Sequence, residues 1–247
     1  MKSAPPFTII HEDEDIIAVS KASGISVGGD RWDESLKRLD RLVAEVLSLP
    51  KIFTVHRIDR ETSGLVVFAK SGNAHRRLSL AFEGRSVTKR YIAVVYGRPP
   101  WKENVCDLPL IPNGNKQHMT IIDKYRGKKS LTRFSLLYSA GNYSVFEAMP
   151  ETGRTHQIRV HAAALGFPIV CDSLYGANQR FADRPVLLSS IKKNWRGNPQ
   201  EEKPLLARLG LHAAELFLPT AEGEIKLCAP LSRDMASLIS QIEKNSR

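Results

Sequence analysis

Apolar residues along the chain fall into short runs with two different periods. Phe7–Ile10 and Ile16–Val19 are β-branched runs on either side of the polar turn His11-Glu12-Asp13-Glu14-Asp15, and they predict a hairpin. Ser20–Gly29 follows with three glycines and predicts a loop. Residues 33–48 place Leu36, Leu39, Leu42, Val43, Val46 and Leu47 at helical spacing and stop before Pro50, which predicts an amphipathic helix. Phe53–Ile58 and Gly64–Lys70 read as strands, and Gly72–Phe82 as a helix with His75, Arg76 and Arg77 outward. Ile92–Tyr96 is an apolar strand ended by Gly97 and Pro99-Pro100, and Trp101–Lys129 has no regular period.

The second half repeats this alternation. Ser130–Tyr138 and Tyr143–Met149 flank Ala140-Gly141-Asn142 as a hairpin. Thr155 is the predicted N-cap of a helix to Leu165, stopped by Gly166 with Pro168 beyond. Leu211–Leu218 and Glu224–Cys228 are late strands, and Ser232 caps a closing helix over 232–244 with Met235, Leu238, Ile239 and Ile242 inward. Strands outnumber helices and hairpin connections dominate. The pattern predicts an α+β fold on a mostly antiparallel mixed sheet with flanking helices. No repeat, low-complexity tract or linker divides residues 1–247, so one domain is expected.

Composition changes this picture in one respect. The 247 residues are 42% hydrophobic and 25% charged, as in an ordinary globular chain, but the formal net charge is +10. An excess of that size suggests a polyanionic partner, nucleic acid before membrane. The three cysteines, Cys106, Cys171 and Cys228, show no CxxC spacing, which argues against structural zinc and fits a reducing cytoplasm. No run approaches the ~18 apolar residues of a membrane helix.

Candidate chemistry concentrates in His56-Arg57-Ile58-Asp59-Arg60-Glu61-Thr62-Ser63-Gly64, a dense polar cluster against an apolar strand. Asp59 suits a nucleophile or base, or a structural cap; Thr62 and Ser63 can do the local capping instead. Arg159 stands on the helix after the donor-rich turn Thr152-Gly153-Arg154-Thr155. An arginine fork held against a carboxylate favours the ionised form; Arg159 and Arg154 can equally bind phosphate, and spacing does not choose. Tyr91 opens a strand behind Lys89 and Arg90, placed either to stack on a base or to pack in the core. His156 and His161 are five apart, wrong for one helix face, and no carboxylate pair accompanies them, so no metal site is expected.

These segments together resemble the RluA-type pseudouridine synthases. His56–Gly64 is similar to that family's HRLD-x-x-TSG motif, Lys89-Arg90-Tyr91 to its lysine–x–tyrosine, and Gly153–His161 to GRTHQ(I/L)RVH. Asp172-Ser173-Leu174-Tyr175-Gly176 is similar to D-x-LYG, and Leu211-His212-Ala213 to a late LHA, so the match runs in order over about 7–230. The chain departs from the pattern at Lys21-Ala22-Ser23-Gly24, usually lysine-proline-x-glycine, at Ile58, and at Cys171, usually glycine.

The resemblance implies a catalytic domain with a central cleft that isomerises uridine in ribosomal or transfer RNA without cofactor or metal. It implies Asp59 as the catalytic aspartate, Tyr91 against the target base and Arg159 paired with Asp59. Arg57 would help displace the nucleotide, and Arg60, Lys89, Arg154 and His156 would contact RNA. The pattern begins by Phe7, so the S4 RNA-binding domain of many relatives is not expected; RNA affinity would come from the domain's own basic surface. A cytoplasmic monomer is the expectation. The competing reading is a non-catalytic RNA-binding or chaperone protein on the same fold, which has no need of Asp59, Arg159 and Tyr91 together. A metal-dependent nuclease fails for want of clustered carboxylates.

Overall fold

The computed structural model describes residues 5–29, 37–115, 119–176, 184–220 and 223–246. They form two compact units, one of residues 1–89 and 212–230, the other of 90–211 and 231–247. Two of the three crossings, at 89/90 and 211/212, fall within strands, and the third, at 230/231, lies just before the closing helix.

The first unit begins with the predicted hairpin, β1 (Phe7–Glu12) and β2 (Ile16–Lys21), its turn closed by Asp13, whose Oδ1 accepts the N–H groups of Asp15 and Ile16. Helix α1 covers Leu39–Val46, not the whole of 33–48; residues 33–36 lie outside the described residues, and Arg38 is extended. The helix starts late because the carbonyls of Ser26 and Val27 capture the N–H groups of Leu39 and Asp40. Strand β3 is only Phe53–Thr54, shorter than Phe53–Ile58, and pairs with β4 (Ser63–Ala69).

Every residue of β4 is buried, which accounts for its unbroken apolar run. It lies antiparallel to β2 and parallel to β11 (Leu211–Thr220), and β11 pairs with β12 (Gly223–Cys228). Helix α2 (Gly72–Glu83), capped by the Ser71 hydroxyl accepting from Ala74 N–H, packs Ala74 and Leu78 onto Leu65, Val67, Leu216 and Leu218.

The second unit is an antiparallel ladder in the order β6 (Glu103–Cys106), β9 (Thr132–Ala140), β10 (Tyr143–Pro150) and β5 (Thr88–Tyr96). The predicted hairpin is β9–β10, with Gly141 supplying the positive φ of +57° at its two-residue turn. The stretch 101–129 is less irregular than its sequence suggests: besides β6 it carries the small pair β7 (Leu110–Ile111) and β8 (Ile121–Ile122).

Helix α3 covers Gln157–Ala164. The closing helix α4 (Arg233–Lys244) buries Met235, Leu238 and Ile242 against Val94, Val145 and Val170, with Ile239 partly buried. Ser232 sits at the predicted cap position, but its hydroxyl takes Arg208 Nη2 (2.5 Å) rather than a helix N–H. Among the described residues no helix is long and apolar enough to cross a membrane. The architecture is α+β on mostly antiparallel mixed sheet, as the hairpin pattern predicts.

Candidate active site

In the first unit the Asp59 segment leaves β3 at Thr54, because a side chain takes over the ladder. His56 Nε2 accepts Val67 N–H at 3.0 Å, and the ring stacks on Phe82 with centroids 4.6 Å apart. Burial, with the nearby charge of Lys89, lowers the His56 pKa to about 3. The ring is therefore a neutral acceptor, and His56 is a brace three residues before Asp59.

Ile58 is buried, Asp59 half-buried, and Arg57 and Arg60 are exposed, so the loop anchors one side chain and presents its charges. Thr62 N–H closes a turn onto the Asp59 carbonyl at 3.1 Å. The Arg60 carbonyl accepts from Gly24 N–H (2.9 Å) and Lys21 Nζ (2.8 Å), and the Glu61 carbonyl from Ser23 Oγ (2.6 Å). Lys21 is 1% exposed; carbonyl acceptors at Ala22 and Arg60 offset the cost of burying its ammonium group. Thus Lys21-Ala22-Ser23-Gly24, despite lacking the proline, cradles the loop, with Gly24 at φ +88°.

Below the loop, Ser63 Oγ meets His212 Nδ1 (2.9 Å), and Gly64 (φ +109°) lets β4 approach β11: a Cβ there would lie 2.2 Å from the Ala213 carbonyl oxygen. Lys89 is half-buried beside His56, and burial together with Arg85 pulls its pKa down to about 8.

In the second unit Tyr91 is buried on β5 opposite Ala148, and its neighbour Arg90 is ion-paired with Glu147. Helix α3 begins one residue later than predicted. His156, not Thr155, is the N-cap, and it stands in the left-handed region (φ 54°) without capping through its side chain. Gln157 organises the entry instead. Its Oε1 accepts from Arg154 N–H (3.0 Å) and Thr152 Oγ1 (2.6 Å), and its Nε2 donates to the Leu131 carbonyl and Thr132 Oγ1, each at 2.9 Å. His161 Nε2 faces the Leu108 carbonyl (2.9 Å) and so carries the ring proton; Nδ1 then accepts from the Thr132 hydroxyl. Desolvation lowers the His161 pKa, consistent with that neutral form.

Arg159 is 4% exposed and forks onto Asp172, Nε to Oδ2 at 2.8 Å and Nη2 to Oδ1 at 2.7 Å. Asp172 Oδ1 also accepts the N–H groups of Leu174 (3.0 Å) and Tyr175 (3.1 Å). The turn that delivers Asp172 needs a positive φ at Cys171 (+55°), where the family's glycine would sit; its thiol donates to the Arg184 carbonyl at 3.1 Å. The guanidinium lies 5.1 Å over the Tyr175 ring. Tyr175 Oη accepts Thr120 N–H (2.9 Å) and is hydrogen-bonded to His156 Nδ1 (2.9 Å). Burial raises the Tyr175 pKa and keeps the phenol protonated.

Arg57, Asp59, Arg60 and Lys89 thus belong to the first unit, and Tyr91, Arg154, His156 and Arg159 to the second, where His156 and Arg159 converge on Tyr175. Three supporting residues escaped sequence reasoning: Lys21, Asp172 and Tyr175. Asp172 and Tyr175 lie inside the D-x-LYG segment that carries the family resemblance, which is the signal that could have found them, whereas Lys21 lies where the chain departs from the family pattern.

An HRIDRETSG loop cradled from behind, with a buried arginine fork on a GRTHQ helix, defines the class. The chain belongs to the RNA pseudouridylate synthase family, whose model matches residues 15–164. Within it the chain is of the RluA type, an isomerase that converts uridine in RNA to pseudouridine. Ribosomal large subunit pseudouridine synthase D of Zymomonas mobilis is 32% identical over 252 residues, covering 98% of this chain and 74% of the relative. The dual-specificity RNA pseudouridine synthase RluA of Escherichia coli is 37% identical over 192 residues, covering 74% of this chain and 84% of the relative. Among solved structures, human RNA pseudouridylate synthase domain containing 1 superposes with a TM-score of 0.71 at 27% identity, covering 94% of this chain and 86% of that one.

Proposed function

We propose that this enzyme isomerises particular uridines in structured ribosomal or transfer RNA, with Asp59 as the catalytic group. The observation that carries the reading is the Asp59 loop itself. Its backbone carbonyls are caught by Lys21, Ser23 and Gly24, while Arg57 and Arg60 stay exposed on either side of half-buried Asp59.

The reaction breaks N1–C1′, turns the uracil while it is held, and joins C5 to C1′. C5 then loses its proton and N1 gains one, so the atoms balance without an oxidant or a hydrolytic water. The base must leave its stack to be reached. Asp59 acts at the sugar, by attack on C1′ or removal of the 2′ proton. Tyr91 packs against the detached uracil and limits its rotation. Arg159, held in place by its fork onto Asp172, is the arginine of the proposed catalytic set.

Exposed Arg57 fills the vacated place in the stack, and Arg60, Arg154 and Lys89 contact phosphates. His156, at the start of α3 beside Arg154, is a further RNA contact. The enzyme works as a monomer in the cytoplasm, where Cys106, Cys171 and Cys228 stay as free thiols. Mapping pseudouridine in total RNA from cells lacking the gene, with and without a restoring copy, tests the target class. One or a few ribosomal or transfer RNA uridines should lose the modification and regain it on restoration. An unchanged map would overturn the reading in favour of a non-catalytic RNA binder.

A further inference from the structure

Between β8 and β9 runs Asp123-Lys124-Tyr125-Arg126-Gly127-Lys128-Lys129, a loop that is pinned far more tightly than its exposure requires. Asp123 Oδ1 accepts the N–H groups of Tyr125 (3.0 Å) and Arg126 (2.9 Å), Oδ2 accepts Arg126 Nε (2.9 Å), and the Asp123 carbonyl accepts Gly127 N–H (2.9 Å). These bonds hold the Asp123 carboxyl below its ordinary pKa. Gly127 is wedged in: a Cβ there would lie 2.3 Å from the Asp123 carbonyl and 2.8 Å from that of Pro109. Leu110 and Lys128 exchange both backbone hydrogen bonds (3.0 and 2.8 Å) at its base.

On this fixed tip Tyr125 is 97% exposed. Lys124, Arg126, Lys128 and Lys129 of the same loop are all exposed, against the single carboxylate of Asp123. Arg154 joins them, its Nε directed to the Lys129 carbonyl at 3.4 Å. A ring held in water among cations is the arrangement that takes a nucleobase on its face and phosphates at its edges.

We infer that this loop is an RNA-docking tip: Tyr125 stacks on an unpaired base outside the target uridine, and Lys124, Lys128, Lys129 and Arg154 hold the flanking phosphates. The inference rests on the RNA substrate proposed above and adds a second contact point to it.

The test is direct binding of the full chain to a synthetic RNA stem-loop and to the same sequence closed as a duplex. Tyr125→Ala should weaken stem-loop binding about 5- to 100-fold. Tyr125→Phe, which keeps the ring, should stay within about 3-fold, and the duplex should distinguish the variants little. Lys124→Gln with Lys128→Gln should flatten the salt dependence of log K by about one to two. Thermal melting should not move, because Tyr125 is not part of a core. Stem-loop binding by Tyr125→Ala at wild-type strength would overturn the inference. So would equal losses in Ala and Phe, or a loss confined to binding of an acidic protein. If the wild-type chain released no tritium from 5-tritiated uridine in RNA, the proposed function would fail instead, and the binding comparison would still decide the role of the tip.

Discussion

The Asp59 loop and the Arg159 helix both place charge at fixed points, by opposite means. Asp59 is half-buried between exposed Arg57 and Arg60, and the loop is held through its main chain, by Lys21, Ser23 and Gly24 on successive carbonyls. Arg159 is buried, and it is held through its side chain, by a two-point fork onto Asp172. Arg57 and Arg60 of the loop thereby stay exposed, whereas α3 has its charge built into the packing of its unit. Changing a charge on the loop should alter function first. Changing one at α3 should cost stability as well.

The largest break in that contrast is Gly64→Ala, which attacks the floor of the loop. Its Cβ would sit 2.2 Å from a backbone oxygen at a φ of +109°. Strain and overpacking together should cost about 3–5 kcal/mol in urea denaturation. A wild-type midpoint would mean that β4 and β11 do not meet as described. Next comes Asp172→Asn, which leaves a buried guanidinium with a neutral partner. About 3 kcal/mol should be lost, together with turnover, because the fork positions Arg159. Turnover lost with stability intact would place Asp172 outside the frame.

The smallest effect concerns His56. Its folded pKa of about 3 lies below the ordinary 6.5. As pH falls below 6.5 the unfolded chain takes up a proton that the folded ring refuses, so stability declines toward pH 3. On the order of 1–2 kcal/mol should be lost between pH 6.5 and 5. His56→Gln, whose amide oxygen can still accept Val67 N–H, should remove that component; an unchanged acid response would shift the cause to other groups.

Much of the fold is legible from periodicity, because local patterns fix local elements. The hairpin of β1 and β2, helix α2, the β9–β10 turn and the inner face of α4 follow from spacing and caps alone. The failures share a cause: a distant group supplied what the local sequence did not. Carbonyls of Ser26 and Val27 set the start of α1, and the His56 ring replaced the rest of β3. His156 took the cap position in a left-handed conformation that Gln157, not a hydroxyl cap, sustains.

The site divides in the same way. The family motifs point to Asp59, Tyr91 and Arg159 as single positions. The Asp172 fork depends on a positive φ at Cys171, and the Tyr175–Thr120 bond joins residues 55 apart, which no spacing reveals.

The central claim, that Asp59 does the chemistry on a loop built to hold it, is tested most directly by tritium release. RNA carrying 5-tritiated uridine would be incubated with the wild-type chain and with Asp59→Asn, alongside a measurement of RNA affinity for each. Release by the wild type, none by the variant, and affinities within about 3-fold of each other are the predicted result, since a side chain acting in the transition state leaves ground-state binding nearly untouched. Full release by Asp59→Asn would contradict it.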